Sequence, residues 1–175
     1  MEKLDSLKEG DVLFLAGSIP ASMPDDMYER IMKRLEGRGV MTVVDATKDL
    51  LVKVLKYHPF LVKPNNHELG EIFGVELKTR EDVVPYGKKL QEMGAENVLI
   101  SMAGEGAVLI AANGQVYKKP VPTGTLVNGV GAGDSMVAGF MAGWMEKEIT
   151  AMLFTWESQQ AAPVPFQKIW PQAKR

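Results

Sequence analysis

The sequence predicts an α/β fold, an open and mostly parallel sheet flanked by helices. Short apolar runs alternate with segments whose apolar residues recur at helical spacing, the pattern of successive βαβ units. These runs end at Gly17, Asp45, Lys63 and Ser101, so polar and small residues collect where a parallel sheet gathers its ligand chemistry, at the strands' carboxyl ends. An Asn113-Gly114 pair between two later apolar runs marks a hairpin turn and adds antiparallel strands to the sheet.

Residues 11–16 (DVLFLA) form the first buried strand and open into Gly17-Ser18-Ile19-Pro20. A helix begins at Pro24-Asp25-Asp26, carries Met27, Ile31, Met32 and Leu35 on one face, and stops at Gly37-Arg38-Gly39. Residues 40–44 make a second strand ending at Asp45, and a helical segment follows over 48–57. A third strand, 60–62, leads through Lys63-Pro64 into a short helix that ends at Phe73. Residues 80–93 form another helix and 97–101 (NVLIS) another buried strand. Residues 107–110 and 115–118 flank the hairpin turn. In the last helix Met136, Phe140 and Trp144 recur every four positions with Val137, Met141 and Met145 one step on, a continuous stripe to be buried.

A chain of 175 residues with 20 basic and 22 acidic side chains can bury one core. It offers no strongly basic surface for nucleic acid or a membrane. No apolar run is long enough to span a bilayer, and the first residues do not have the layout of a secretory signal, so a cytoplasmic location is expected. The absence of cysteine excludes disulfides, thiolate metal sites and a cysteine nucleophile. His58 and His67 have no zinc-site spacing.

The segment richest in chemistry is Asn128-Gly129-Val130-Gly131-Ala132-Gly133-Asp134-Ser135, a glycine-rich turn that runs straight into the last helical stripe. A helix N-terminus presents unpaired N–H groups and the positive end of the helix dipole, and glycines let a phosphate approach that backbone closely. Asp134 at the same turn is placed to take a proton from an attacking hydroxyl. An ordinary helix cap would use the same residue types.

Two motifs in order, Asn65-x-x-Glu68 and Gly131-Ala132-Gly133-Asp134, resemble the ribokinase-like carbohydrate kinases of the phosphofructokinase-B type. The longer strings around Gly17, Lys63 to Glu71, Ser101 to Ala107 and Val130 to Phe140 are similar to the bacterial 1-phosphofructokinases within it. The resemblance covers most of residues 1–147. It implies a ribokinase-like fold and ATP-dependent phosphorylation of fructose 1-phosphate to fructose 1,6-bisphosphate, with tagatose-6-phosphate kinase as the enzymatic alternative. Asp134 is then the catalytic base, and the backbone of Gly131, Ala132 and Gly133 the anion hole. Ser101, Met102, Ala103, Gly104, Glu105 and Gly106 match the nucleotide-binding turn, joined at the nucleotide by Gly133 and Asp134. Asn65 and Glu68 match the element that handles Mg2+ and phosphate. A helix start with Glu in its first turn is the plain reading of the same pair. Lys63 stands outside this set: it could approach a nucleotide phosphate, but a solvated lysine after a strand is at least as consistent with the sequence. Gly129 departs from the family pattern, where a serine or threonine is usual. The partners implied are a sugar phosphate and ATP, with a homodimer in the full-length parent.

Both ends depart from the family. The N-terminal half, with its sugar-binding strands and lid, has no counterpart, so the fold is expected to be incomplete, with an exposed strand edge and an uncovered apolar face. A non-catalytic nucleotide-binding remnant is the alternative of a different class. Residues 148–175 carry three prolines between Pro163 and Pro171 and no sustained helical stripe. Read one base out of register, the codons of this tail permit a small-residue helix like the family's, with glycine forced across Trp156 and Glu157 and alanine across Trp170 and Pro171. A shift of the reading frame near codon 148 would account for such a tail.

Overall fold

The computed structural model describes residues 2–20, 22–120 and 132–145. The chain divides into two compact units, residues 1–120 and 121–175. Unit one holds α1 (Glu2–Asp5), β1 (Val12–Ala16), α2 (Met27–Leu35), β2 (Met41–Asp45), α3 (Lys48–Leu55), β3 (Leu61–Val62), α4 (Asn66–Phe73), α5 (Arg80–Glu92), β4 (Asn97–Ser101), β5 (Ala107–Ile110) and β6 (Val116–Lys119). The described part of unit two is α6 (Ala132–Met145).

The six strands pair in chain order, β1-β2-β3-β4-β5-β6. The first three pairings are parallel and the last two antiparallel, so the mostly parallel sheet with a terminal hairpin is present as expected. The turn of that hairpin is closed by Ala111 N–H donating to Gln115 O at 2.9 Å and Gly114 N–H to Ala111 O at 2.8 Å. Parallel strands that advance steadily in one direction, each joined by a right-handed crossover, put all their helices on one face. The core follows: Leu15, Val44, Val62, Val98, Ile100, Val108 and Ile110 from the sheet cluster with Met32, Leu51, Leu55, Leu69, Val83 and Leu90 from α2 to α5. Strand alternation directs Val43, Leu61, Leu99 and Leu109 to the other face, and these too are buried.

The helices start and stop for local reasons. Asn65 opens α4 with a reciprocal capping box to Glu68, and Thr79 opens α5 with one to Asp82. Gly74 ends α4 at φ +67°, a left-handed conformation that costs a glycine little. Helix α2 begins at Met27, three residues later than Pro24: the chain first makes a turn in which Met27 N–H donates to Pro24 O at 3.1 Å, and Asp26 makes no side-chain cap bond. Short α1 is tied down from afar, Arg38 donating to the carbonyls of Leu4, Asp5 and Leu7 while Arg34 forks onto Asp5.

Within α6, Met136, Val137, Phe140 and Met141 are buried as the stripe predicts. Its last turn does not follow, for Trp144 is 37% and Met145 68% exposed. Among the described residues no helix is long and apolar enough to cross a membrane. The tail 148–175 lies outside the described residues.

Candidate functional site

The carboxyl ends of β1 to β4 are stitched together by backbone and side chain. Gly17 N–H donates to Asp45 O at 3.0 Å, and Lys63 N–H to Val44 O at 3.1 Å. Beyond β3 the chain stays in register with β4: Ser101 N–H donates to Pro64 O at 3.1 Å, and Asn65 forms a parallel bridge with Ser101. That bridge brings two of the sequence-predicted elements side by side, the Asn65-x-x-Glu68 helix start and the first residue of the 101–106 turn.

The Asn65–Glu68 pair performs the plain role. Asn65 Oδ1 accepts from Glu68 N–H and Glu68 Oε2 accepts from Asn65 N–H, each at 2.8 Å. The caps leave capacity unused, because an amide oxygen has a second lone pair and a carboxylate a second oxygen. Both residues are half-buried. No group of three or more His, Cys, Asp or Glu side chains gathers among the described residues.

From Ser101 the chain turns through a short 3-10 helix, Ala103–Glu105, closed by Met102 N–H to Gly106 O at 2.9 Å and Gly106 N–H to Ala103 O at 3.0 Å. Met102 is buried under this turn, whereas Ala103, Gly104 and Glu105 are exposed. The two glycines have different work. A Cβ on Gly104 would meet nothing within 4 Å, while one on Gly106, at φ +93°, would lie 2.0 Å from Lys119 O. Gly106 is therefore required where β6 passes, and Gly104 leaves an open backbone on the turn's outer side. Ala103 itself adopts φ +43°, a strained conformation for a residue with a Cβ.

In unit two, Gly133 and Asp134 lie in the first turn of α6, with Asp134 exposed. Ala132 is the first described residue of that helix. Gly129 and Gly131 fall outside the described residues.

One feature at the strands' carboxyl ends escaped the sequence. Lys63 is 7% exposed, and its Nζ lies 3.1 Å from Asp45 Oδ1; it is a buried, paired charge and not a solvated one. Tyr28 from α2 closes the neighbouring strand end by donating its hydroxyl to Gly17 O at 3.2 Å. Burial, and after it the Asp45 charge, pushes the Tyr28 phenol above its ordinary value. The signal available was an Asp and a Lys at the ends of two successive apolar runs, which in a parallel sheet become neighbours.

A model of the pfkB family of carbohydrate kinases matches residues 1–154. This chain belongs to the pfkB carbohydrate kinase family. Among pfkB relatives, the 1-phosphofructokinase of Bacillus subtilis is 53% identical over 143 residues, covering 82% of this chain and 47% of that protein. The D-tagatose-1-phosphate kinase of Bacillus licheniformis is 34% identical over 142 residues, covering 81% and 46%. The pfkB fold is matched by phosphofructokinase-2 from Escherichia coli, solved in complex with substrates and products, at a TM-score of 0.82 and 25% identity, over 92% of this chain and 53% of that one. The chain thus spans about half the length of the pfkB relatives it matches, and the ribokinase-like sheet is present in part.

Proposed function

We propose that the chain supplies the nucleotide and phosphoryl-transfer portion of a kinase that converts fructose 1-phosphate to fructose 1,6-bisphosphate at the expense of ATP. The observation that carries this is the Asn65–Ser101 bridge, which sets the capped start of α4 beside the exposed turn Ala103–Glu105 at the carboxyl ends of the central strands. The order and spacing of the motifs, and the 53% identity to a 1-phosphofructokinase, support the same reading.

In the reaction the sugar's 6-hydroxyl oxygen bonds to the γ-phosphorus of ATP, the bond from that phosphorus to the β,γ-bridging oxygen breaks, and ADP leaves. The carboxylate of Asp134 takes the hydroxyl proton. Backbone N–H groups of Gly131, Ala132 and Gly133 receive the charge on the transferring group. The turn 101–106 holds the nucleotide, its open backbone at Gly104 allowing close approach. Asn65 and Glu68 would hold Mg2+: their unused lone pair and oxygen suit a cation that takes few protein oxygens and completes its shell with water and phosphate. When bound, Mg2+ neutralises charge on the phosphate oxygens.

A coupled assay with ATP, Mg2+ and each of fructose 1-phosphate, tagatose 1-phosphate and tagatose 6-phosphate tests the proposal. Turnover fastest on fructose 1-phosphate, and reduced at least ~10²-fold in Asp134→Asn, supports it. Preference for a tagatose phosphate replaces the substrate. The half-length match favours a second reading, a non-catalytic nucleotide binder, for which calorimetry would show ATP binding without turnover of any sugar phosphate. The proposal includes a cytoplasmic location and a homodimeric full-length parent. It also includes a kinase portion over 1–147 and an out-of-frame tail over 148–175, which the DNA around codon 148 tests directly.

A further inference from the structure

The turn between β4 and β5 is fixed at both ends and strained in the middle. Ser101 pairs with Ala107 across the antiparallel ladder, and Met102 N–H donates to Gly106 O at 2.9 Å. The Met102 side chain is buried, and Gly106 is pressed so closely against Lys119 O that a Cβ would lie 2.0 Å from it. Between these anchors Met102 has φ −132° and ψ 29°, and Ala103 has φ +43°. A positive φ sets the alanine Cβ against a carbonyl oxygen, and alanine has no polar side chain to offset that with a local hydrogen bond.

One hydrogen bond holds the strain in place. Glu105 N–H donates to Met102 O at 2.9 Å, which fixes the plane of the peptide group joining Met102 to Ala103. Turning that plane over changes only Met102 ψ and Ala103 φ and leaves the Cα positions where they are. It carries Ala103 to negative φ and Met102 toward the extended region, where residues with a Cβ are at ease. The flip also replaces the Met102 carbonyl with the Ala103 N–H, so that two donors face each other across the turn. Without an acceptor between them that arrangement is unfavourable; an acceptor oxygen on a bound molecule removes the penalty and releases the strain. The outer side has room for one, since Ala103, Gly104 and Glu105 are exposed and a Cβ on Gly104 would meet nothing within 4 Å.

We propose that the Met102–Ala103 peptide group is a nucleotide-operated switch, strained and bonded to Glu105 in the free protein, flipped and relaxed when nucleotide occupies the turn. The inference rests on the assignment of residues 101–106 to the nucleotide. Ala103 does here what glycine would not: glycine adopts positive φ as readily as negative, so it would favour the free form and remove the drive to flip. A ligand shifts such an equilibrium only through the difference between its two states, and the strain on Ala103 is part of that difference.

Calorimetry of ATP binding and NMR of the 13C-alanine-labelled full chain test the switch. The Ala103 Cα and Cβ shifts should move from left-handed to extended values as ATP is added. Ala103→Gly should raise the melting temperature and weaken ATP binding about fivefold, the low end of what a left-handed alanine's strain amounts to. Ala103→Val, whose branched side chain resists positive φ more strongly, should melt earlier and bind ATP at least as tightly as the parent chain. Should Ala103→Val unfold, the alanine shifts and Ala103→Gly carry the test. Ala103 shifts that stay left-handed in the ATP complex overturn the switch. So does an Ala103→Gly chain that binds ATP as tightly as the parent or more so, because the strained form is then the binding form. In both of those results the nucleotide assignment stands, whereas a chain that binds no ATP at all overturns the assignment and the switch together.

Discussion

Lys63 Nζ and Asp45 Oδ1 stand 3.1 Å apart at the ends of two adjacent parallel strands, and the two partners are unequally covered, with side chains 9% and 26% exposed. Removing either strands the other, but water reaches the aspartate more readily. Asp45→Asn leaves a buried ammonium unpaired and should cost about 3 kcal/mol. Lys63→Met leaves a carboxylate that water can reach and should cost about 1 kcal/mol. Urea unfolding of the two variants checks the order; a larger loss in Lys63→Met would contradict it.

Asn65 is assigned two jobs, and substitutions separate them. Asn65→Ala removes the side-chain acceptor from Glu68 N–H and should cost about 1 kcal/mol, whereas Asn65→Ser keeps an acceptor and most of the stability. If Asn65 also helps hold Mg2+, Asn65→Ser should still require several-fold more Mg2+ for half-maximal turnover. Thermal melts alongside a Mg2+ titration of activity distinguish the two effects.

Gly104 and Gly106 sit two residues apart and should respond oppositely. Gly106→Ala drives a Cβ into Lys119 O at a positive φ and should cost at least about 2 kcal/mol. Gly104→Ala meets nothing and should leave the melting temperature within a degree or two (about 0.5 kcal/mol). Calorimetry of ATP binding should nevertheless show Gly104→Ala weakened, because the added methyl occupies the turn's open side.

Acid stability should depend on the α5 cap. The Thr79 N–H, then the Lys78 N–H and the Thr79 hydroxyl, hold the Asp82 carboxyl below the usual carboxylate range. A carboxyl that titrates lower when folded stabilises fully above its unfolded value of about 3.9, and that contribution disappears as pH falls through the folded value. Asp5, lowered chiefly by its hydrogen bond from Arg34, adds to the same limb. Unfolding midpoints measured from pH 5 down to pH 2.5 should fall less steeply in Asp82→Asn, and less still when Asp5→Asn is added.

The parts legible in the sequence were those set by local pattern. Apolar runs and helical spacing located the strands and α2 to α5 to within a few residues, and Asn113-Gly114 identified the hairpin. Contacts set by distant residues were not legible. Helix α1 depends on Arg34 and Arg38, about thirty positions on, and no periodicity announces a four-residue helix held that way. The pairing of Lys63 with Asp45 was not legible because the two lie on either side of a crossover helix. The Asn65-x-x-Glu68 motif was legible as a pattern while leaving cap and cation site undivided, since both uses ask for the same oxygens.

Because neighbouring strands in the sheet are also neighbours in the sequence, the chain can assemble in the order in which it is synthesised. As β2 leaves the ribosome its partner β1 is already out, and each later strand finds its predecessor waiting. Among the described residues no pairing skips a strand, so loop closures stay short for a sheet of this size. Among the described strands the pairing moves steadily from β1 and finishes on the tight β5–β6 hairpin, whose two strands lie next to each other in the sequence.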